Sequence, residues 1–144
     1  MIPEFTEDGW LPKGVHRATL EEFKARFVYF KRSDRRFRIF EKLQEVYWQA
    51  QRSGIVKQFV VGGSFVANQA EPGDFDCILV LDPKIEGREL RPAEYNLVSR
   101  QRARRLFGGD VIATVDGSRE HHAFLEFFQM TRDKNHIGVV EIEL

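Results

Sequence analysis

Gly62-Gly63-Ser64 and, ten residues beyond the serine, Asp74-Phe75-Asp76 are the residues whose types and spacing could do chemistry. A buried strand that ends in Gly-Gly-Ser and turns into a helix gathers free backbone N–H groups and the positive end of a helix dipole at one spot. Such a spot attracts a phosphate. Gly62 and Gly63 permit close backbone approach and positive φ, and the Ser64 hydroxyl can donate one more hydrogen bond to a phosphate oxygen. Asp74 and Asp76 are two apart on an incoming strand, so both carboxylates share a face while Phe75 points to the opposite layer. Two like charges about 4 Å apart repel by roughly 4 kcal/mol at an effective dielectric of about 20, so the pair calls for a cation or a proton. Mg²⁺ suits it, because that ion takes oxygen ligands, keeps several waters and bridges one or two carboxylates to substrate phosphates. Taken singly, each feature also has a plain structural reading: a tight connection capped by Ser64, and a solvated strand edge.

The elements that must position these residues are legible from periodicity. Ile55 to Val61 is rich in β-branched and aromatic residues and Phe75 to Leu81 is a short apolar run bounded by turn residues, so both read as strands. Between them, Ser64 to Ala70 leaves room for barely two helical turns. Upstream, Thr19 with Glu22 forms a capping-box pattern for a short helix. Phe37, Phe40, Leu43, Val46, Tyr47 and Ala50 then recur at three and four residues and predict a helix from about Asp34 to Arg52, stopped by Gly54. Downstream, Pro92 suits the first turn of a helix running to about Leu106, with Tyr95, Val98 and Leu97 facing inward. Val111 to Val115 reads as a third strand, Ser118 caps a helix through Phe128, and Gly138 to Leu144 closes as a fourth strand. Residues 1–18, with Pro3, Gly9, Pro12 and Gly14, read as an extended arm whose Trp10 and Leu11 pack on a single domain spanning 1–144. Alternating helices and strands predict an α/β or α+β domain with helices on a small sheet.

Gly63-Ser64, a short helix and then Asp74-Phe75-Asp76 opening a strand resemble the signature of the nucleotidyltransferase superfamily, of polymerase-beta-like fold. The chain also resembles a family of small prokaryotic nucleotidyltransferase-like proteins. That likeness rests on Trp10-Leu11-Pro12-Lys13-Gly14-Val15-His16 with Ala18-Thr19, on Gly63-Ser64-Phe65-Val66, on Pro72-Gly73-Asp74-Phe75-Asp76, and on Phe127-Phe128-Gln129-Met130-Thr131-Arg132-Asp133. The resemblance implies an α+β fold, a small mixed sheet with helices packed against it. It further implies that Gly62, Gly63 and Ser64 hold a nucleoside triphosphate, that Asp74 and Asp76 hold Mg²⁺, and that a third carboxylate from a neighbouring strand completes the site. Asp110 is the candidate because it opens the third strand; Asp116, at that strand's far end, is the runner-up, and Asp82 stands behind both. The implied activity is transfer of a nucleotidyl group to a hydroxyl acceptor on protein or RNA. Asn68 stands where many minimal nucleotidyltransferases carry a second glycine. That difference leaves a second reading: a non-catalytic interaction module, such as one partner of a toxin-antitoxin or defence pair.

Composition narrows the class. Hydrophobic residues at 42% and charged residues at 31% fit a globular chain and exclude a disordered one. No apolar run approaches the roughly 20 residues needed to span a bilayer, and the acidic opening is unlike a secretory signal, so a cytoplasmic protein without a membrane partner is expected. Cys77 is the single cysteine and lies within an apolar run, where it reads as a buried strand residue. Basic and acidic side chains balance at 22 each, so any claim of anion binding must rest on local patches. Two exist: Lys31, Arg32, Arg35, Arg36 and Arg38, and Arg100, Arg102, Arg104 and Arg105. Either reads as a solvated helix face or as a binding surface for an RNA acceptor or a triphosphate tail. Phe124, Phe127 and Phe128 read as core, or, if exposed, as a ring on which a base could stack.

Overall fold

The computed structural model describes residues 2–144 apart from the side chain of Lys31. Helix α1 (Leu20–Phe23) starts as the sequence predicts: the Thr19 hydroxyl accepts from the Glu22 N–H, and the Glu22 carboxylate accepts from the Thr19 N–H, both at 3.1 Å. A wider π-type turn over Lys24–Val28 follows and buries Phe27 and Val28. Helix α2 (Asp34–Ser53) begins at Ser33, whose hydroxyl accepts from the Arg36 N–H, and stops at Gly54 with φ of +71°. Its buried stripe is Arg36, Ile39, Phe40, Leu43, Val46, Tyr47 and Ala50. Phe37, placed on that stripe from the sequence, is 48% exposed, and the inward position one residue earlier belongs to an arginine.

Five strands form one mixed sheet in the order β1-β5-β2-β3-β4: β1 (Gly14–Ala18), β2 (Val56–Gly62), β3 (Asp76–Leu81), β4 (Asp110–Val115) and β5 (Gly138–Ile142). The outer pairs, β1 with β5 and β3 with β4, are parallel, and the two inner pairings are antiparallel. Four of these strands are the predicted ones. The fifth, β1, lies inside the segment read as an extended arm. Its Gly-Val-His-Arg-Ala sequence leaves Val15 and Arg17 exposed, so no apolar alternation betrays it; an edge strand needs only one paired side.

Helices α3 (Pro92–Val98) and α4 (Arg100–Phe107) replace the single helix expected over this stretch. The break is at Ser99, whose extended backbone ends α3 and whose hydroxyl accepts from the Arg102 N–H at 3.3 Å to start α4. Of the inward residues expected here, Leu97 is buried, Val98 is half-buried and Tyr95 is exposed. Helix α5 (Arg119–Phe128) is capped by Ser118 as predicted. None of the described helices is long and apolar enough to cross a membrane.

Strand alternation sorts the core into two layers. Phe59, Val61, Cys77, Leu79, Leu81, Val111, Val140 and Ile142 belong to the larger cluster with Phe23, Phe27 and the α2 stripe, whereas Val60, Ile78, Val80, Ile112 and Val139 pack with Phe128 of α5. The molecule is therefore α+β, a five-stranded mixed sheet with α1–α4 on one face and α5 on the other.

Candidate functional site

Asp76 and Asp110 open adjacent parallel strands and are register partners, and Gly62, the last residue of β2, pairs with Asp76 on its other side. By parity with Ile78 and Ile112, both carboxylates emerge on the α5 face, at the strand ends beyond Phe128. Neighbouring strands run about 4.8 Å apart, which brings the two acids together. Asp74, two residues before Asp76, accepts the Phe75 N–H at 2.8 Å and stands at the lip of the same strand end. The expected trio Asp74, Asp76 and Asp110 is thus gathered at one end of the sheet. Asp116 is at the opposite end of β4, about 20 Å along the strand, where it pairs with Lys57 at 2.8 Å. Asp82 is used in a turn, accepting from the Lys84 N–H.

The electrostatics of the trio are asymmetric. Burial, followed by the charges of Asp110 and Asp74, pushes the Asp76 carboxyl up to about 6, and Arg104 and Arg100 only partly offset this. Asp110 is gripped by Arg100 through two 2.7 Å hydrogen bonds, Nε to Oδ1 and Nη2 to Oδ2, and its side chain is 14% exposed. Arg104, one turn along α4, places Nη1 3.9 Å from Asp74 and Nη2 4.0 Å from Asp110. The second basic cluster of the sequence therefore divides: Arg100 and Arg104 face the acids, while Arg102 lies over the exposed Tyr95 ring and Arg105 faces solvent. Among the described residues no three acids, histidines or cysteines stand as a ready metal cage. The donor set is nonetheless all oxygen, as Mg²⁺ requires, and that ion commonly uses only one or two carboxylates while keeping its waters.

Gly63 takes φ of +77°, and a Cβ on it would stand 2.5 Å from Oδ2 of Asp76, so the bare backbone is what lets this carboxylate lie over the turn. Gly62 serves packing: a Cβ there would meet the Phe128 ring at 2.8 Å. Gly109 similarly leaves room for the face of Phe75, whose ring would sit 2.3 Å from any Cβ. The turn after the glycines departs from expectation. Only a single 3-10 turn forms over Gly63–Val66, and Ala67 is already extended, so no helix dipole of consequence points at this spot.

The turn and the segment after it are held by Arg36, which sequence reasoning placed in a surface basic cluster. Its guanidinium is fully buried and its five N–H groups donate to carbonyls of Phe27, Ser64, Phe65, Ala67 and Gln69, at 2.7 to 3.4 Å. Two of those carbonyls, of Ser64 and Phe65, belong to the turn, and two more, of Ala67 and Gln69, to the extended segment that follows it. The charge has no carboxylate partner among the described residues; it lies 5.0 Å from the centres of the Phe30 and Phe65 rings, and burial lowers its pKa to about 10, which leaves it charged. Arg35 clamps the other approach, donating Nε to the Pro72 carbonyl at 2.5 Å and Nη2 to that of Gly73 at 3.1 Å. The remainder of that first cluster separates: Arg32 is exposed, Arg38 lines a cavity, and the Lys31 side chain is outside the described residues. The Ser64 hydroxyl has no partner among the described residues. Phe127 is 70% exposed and its ring centre is 6.5 Å from that of Phe128, whereas Phe124 and Phe128 pack inward.

Fold and site together define an α+β domain with an acidic cluster at the strand ends, opposed by arginines from one helix and bordered by a glycine turn that a buried arginine holds. The chain belongs to the Family of unknown function (DUF6932), which it matches over residues 3–143. Comparison with curated proteins yields no match, and neither does comparison with solved structures.

Proposed function

We propose that this protein has a nucleotidyltransferase-like fold, acts in the cytoplasm, and uses Mg²⁺ to move a nucleotidyl group from a nucleoside triphosphate to a hydroxyl of a protein or RNA acceptor. The observation that carries the reading is the meeting of three elements at Asp76: the Gly63 turn beneath its carboxylate, Asp110 beside it, and a carboxyl pKa raised to about 6 by burial and like charge. A group in that state seeks positive charge. Asp74 and Asp76 would hold the ion, with Asp110 completing the site; when bound, it supplies charge neutralisation for the phosphates. The backbone N–H groups of Gly62 and Gly63 and the Ser64 hydroxyl bind the triphosphate tail, and Phe127 offers its exposed ring to the base. The acceptor oxygen attacks the α-phosphorus and passes its proton to Asp110. The bond to the bridging oxygen of the β-phosphate breaks, and pyrophosphate leaves with that electron pair. Calorimetry tests this: Mg²⁺-dependent binding of a nucleoside triphosphate is expected for the wild type and is expected to vanish in Asp74→Ala/Asp76→Ala. Binding indifferent to both substitutions sinks the proposal.

One observation favours a second reading. Arg100 and Arg104 already supply the acids with positive charge from within the chain, as suits an interaction module that keeps the fold without turnover and docks a cognate toxin or antitoxin. Transfer of labelled nucleotide to any acceptor by the wild type refutes that reading.

A further inference from the structure

Beside the acidic cluster lies a cavity of about 240 Å³ between α2 and the loops that enter β3 and β4, lined by Arg35, Arg38, Lys42, Gly73, Asp74 and Gly108 over the Ile39 side chain. Positions 35, 38, 39 and 42 recur at helical spacing, so α2 turns one face toward this hollow. Three of that face's side chains are cations, and the only acid in the lining is Asp74, which Arg104 already approaches at 3.9 Å from the other side. The excess is local, because the chain as a whole carries no net charge. Asp34, Glu41 and Glu45 stand three or four residues from Arg38 or Lys42 on α2 and balance them along the helix, but none of the three lines the cavity.

The three cations are not equally engaged. Arg35 is fixed by the carbonyls of Pro72 and Gly73 and keeps N–H groups to spare, since a guanidinium has five. Arg38 and Lys42 have no hydrogen bond or ion pair among the described residues. The Lys42 ammonium reaches over Gly108, where it stands 3.2 Å from the position a Cβ would take, and Gly108 holds φ of +76°, so bare backbone forms that wall. One anchored guanidinium, a second free one and a free ammonium around a concave space suit the tetrahedral oxygens of phosphate, which takes forked hydrogen bonds from arginine and a point charge from lysine. Neither Gly63 nor Ser64 lines this cavity, so it is separate from the turn assigned to the triphosphate tail.

We propose that the Arg35–Arg38–Lys42 cavity is a binding subsite for a phosphate group of a ligand. This goes beyond the catalytic reading and does not depend on it. Two sources share the chemistry, the phosphodiester backbone of a single strand and a free polyphosphate, and the experiment has an arm for each. Binding of a labelled single-stranded oligoribonucleotide is followed by anisotropy and binding of inorganic triphosphate by calorimetry, both in chelator so that no divalent ion contributes. The proteins are the wild type, Arg38→Glu/Lys42→Glu, the neutral Arg38→Gln/Lys42→Gln, and an Arg119→Glu/Arg132→Glu control with the same change in net charge on exposed sites that do not line the cavity. The expected result is an affinity loss of at least tenfold for one probe in the charge-reversed cavity variant, a smaller loss in the neutral one, and less than threefold in the control. Loss confined to the oligoribonucleotide, with a salt slope lowered by roughly 0.7 for each phosphate contact removed, identifies a strand. Loss confined to triphosphate identifies a free polyphosphate. Equal losses in the cavity variant and the control, or no wild-type binding of either probe, overturn the proposal. Because no metal or nucleoside is present, such a failure is distinct from failure of metal-dependent nucleotide binding.

Discussion

Replacing Arg36 by lysine keeps a charge but offers at most three N–H donors to the five carbonyl oxygens that now share a guanidinium. Buried acceptors left without a donor cost about 1–3 kcal/mol each before relaxation. Arg36→Lys is therefore expected to lower stability by about 2–4 kcal/mol in urea unfolding and to speed amide exchange at Ala67 and Asn68; a loss below about 1 kcal/mol would show that the turn holds itself. Asp76 supplies a second prediction, in the absence of divalent ions. Its folded pKa of about 6 lies above the ordinary 3.8, so between these values the folded chain holds a proton that the unfolded chain releases. Stability then falls as pH rises from about 4 to about 6, and the cost, at most about 3 kcal/mol and reduced by solvent screening of this partly exposed carboxyl, persists above that window. Asp76→Asn should flatten this slope and stabilise the protein at pH 7; chemical denaturation across pH 4–8 reads it directly. Asp76 and Asp110 were legible in the sequence because each opens a short apolar strand, but Asp74 lies in the loop before β3, so the two-residue strand period expected to set it on one face with Asp76 does not apply to it. Arg36 was not legible, since an arginine among four other basic residues looks like solvated surface. The signal that could have found it is its place four residues before Phe40 on the apolar stripe of α2, where a charge is out of keeping with its neighbours.

Helix α4 exists as a separate unit because Ser99 ends one helix and caps the next, and this sets the angle from which Arg100 and Arg104 reach the strand ends. Ala103 and Phe107 recur at four residues, but Leu97 stands six before Ala103, a step that no single helix face takes, and that gap was the sequence signal of the break. If a metal ion and Arg100 compete for Asp110, then Arg100→Gln should tighten Mg²⁺ binding about tenfold while lowering metal-free stability by no more than about 1 kcal/mol, as expected for a pair whose arginine is largely exposed. Titration calorimetry with Mg²⁺ alone decides it, and weaker binding in the variant would show that Arg100 positions Asp110 rather than competing for it. Edge strand β1 was illegible for a different reason: with a single neighbour and half its side chains in water, it needs no apolar pattern, and what places it is pairing with a strand 124 positions away, Gly14 against Gly138.

At the scale of the molecule, the three strands that build the site lie between residues 56 and 115, and each follows its neighbour in the chain, which is why their alternation could be read without a structure. The order in which β5 separates β1 from β2 has no such local signature. Removing residues 137–144 would leave β2 with an open edge and uncover Val60, Val61 and the core they share with β5. The truncated chain is expected to pellet when expressed where the full chain remains in the supernatant. The same arrangement governs the order of events during synthesis. β2, β3 and β4 leave the ribosome as a contiguous group able to pair at once, but the strand that must insert between β1 and β2 is the last of the five to appear. Until Ile142 clears the exit tunnel, the nascent chain carries two unpaired strand edges beside a part-formed apolar layer, a state that invites chaperone capture and makes sheet closure by a distant strand the slow step of folding.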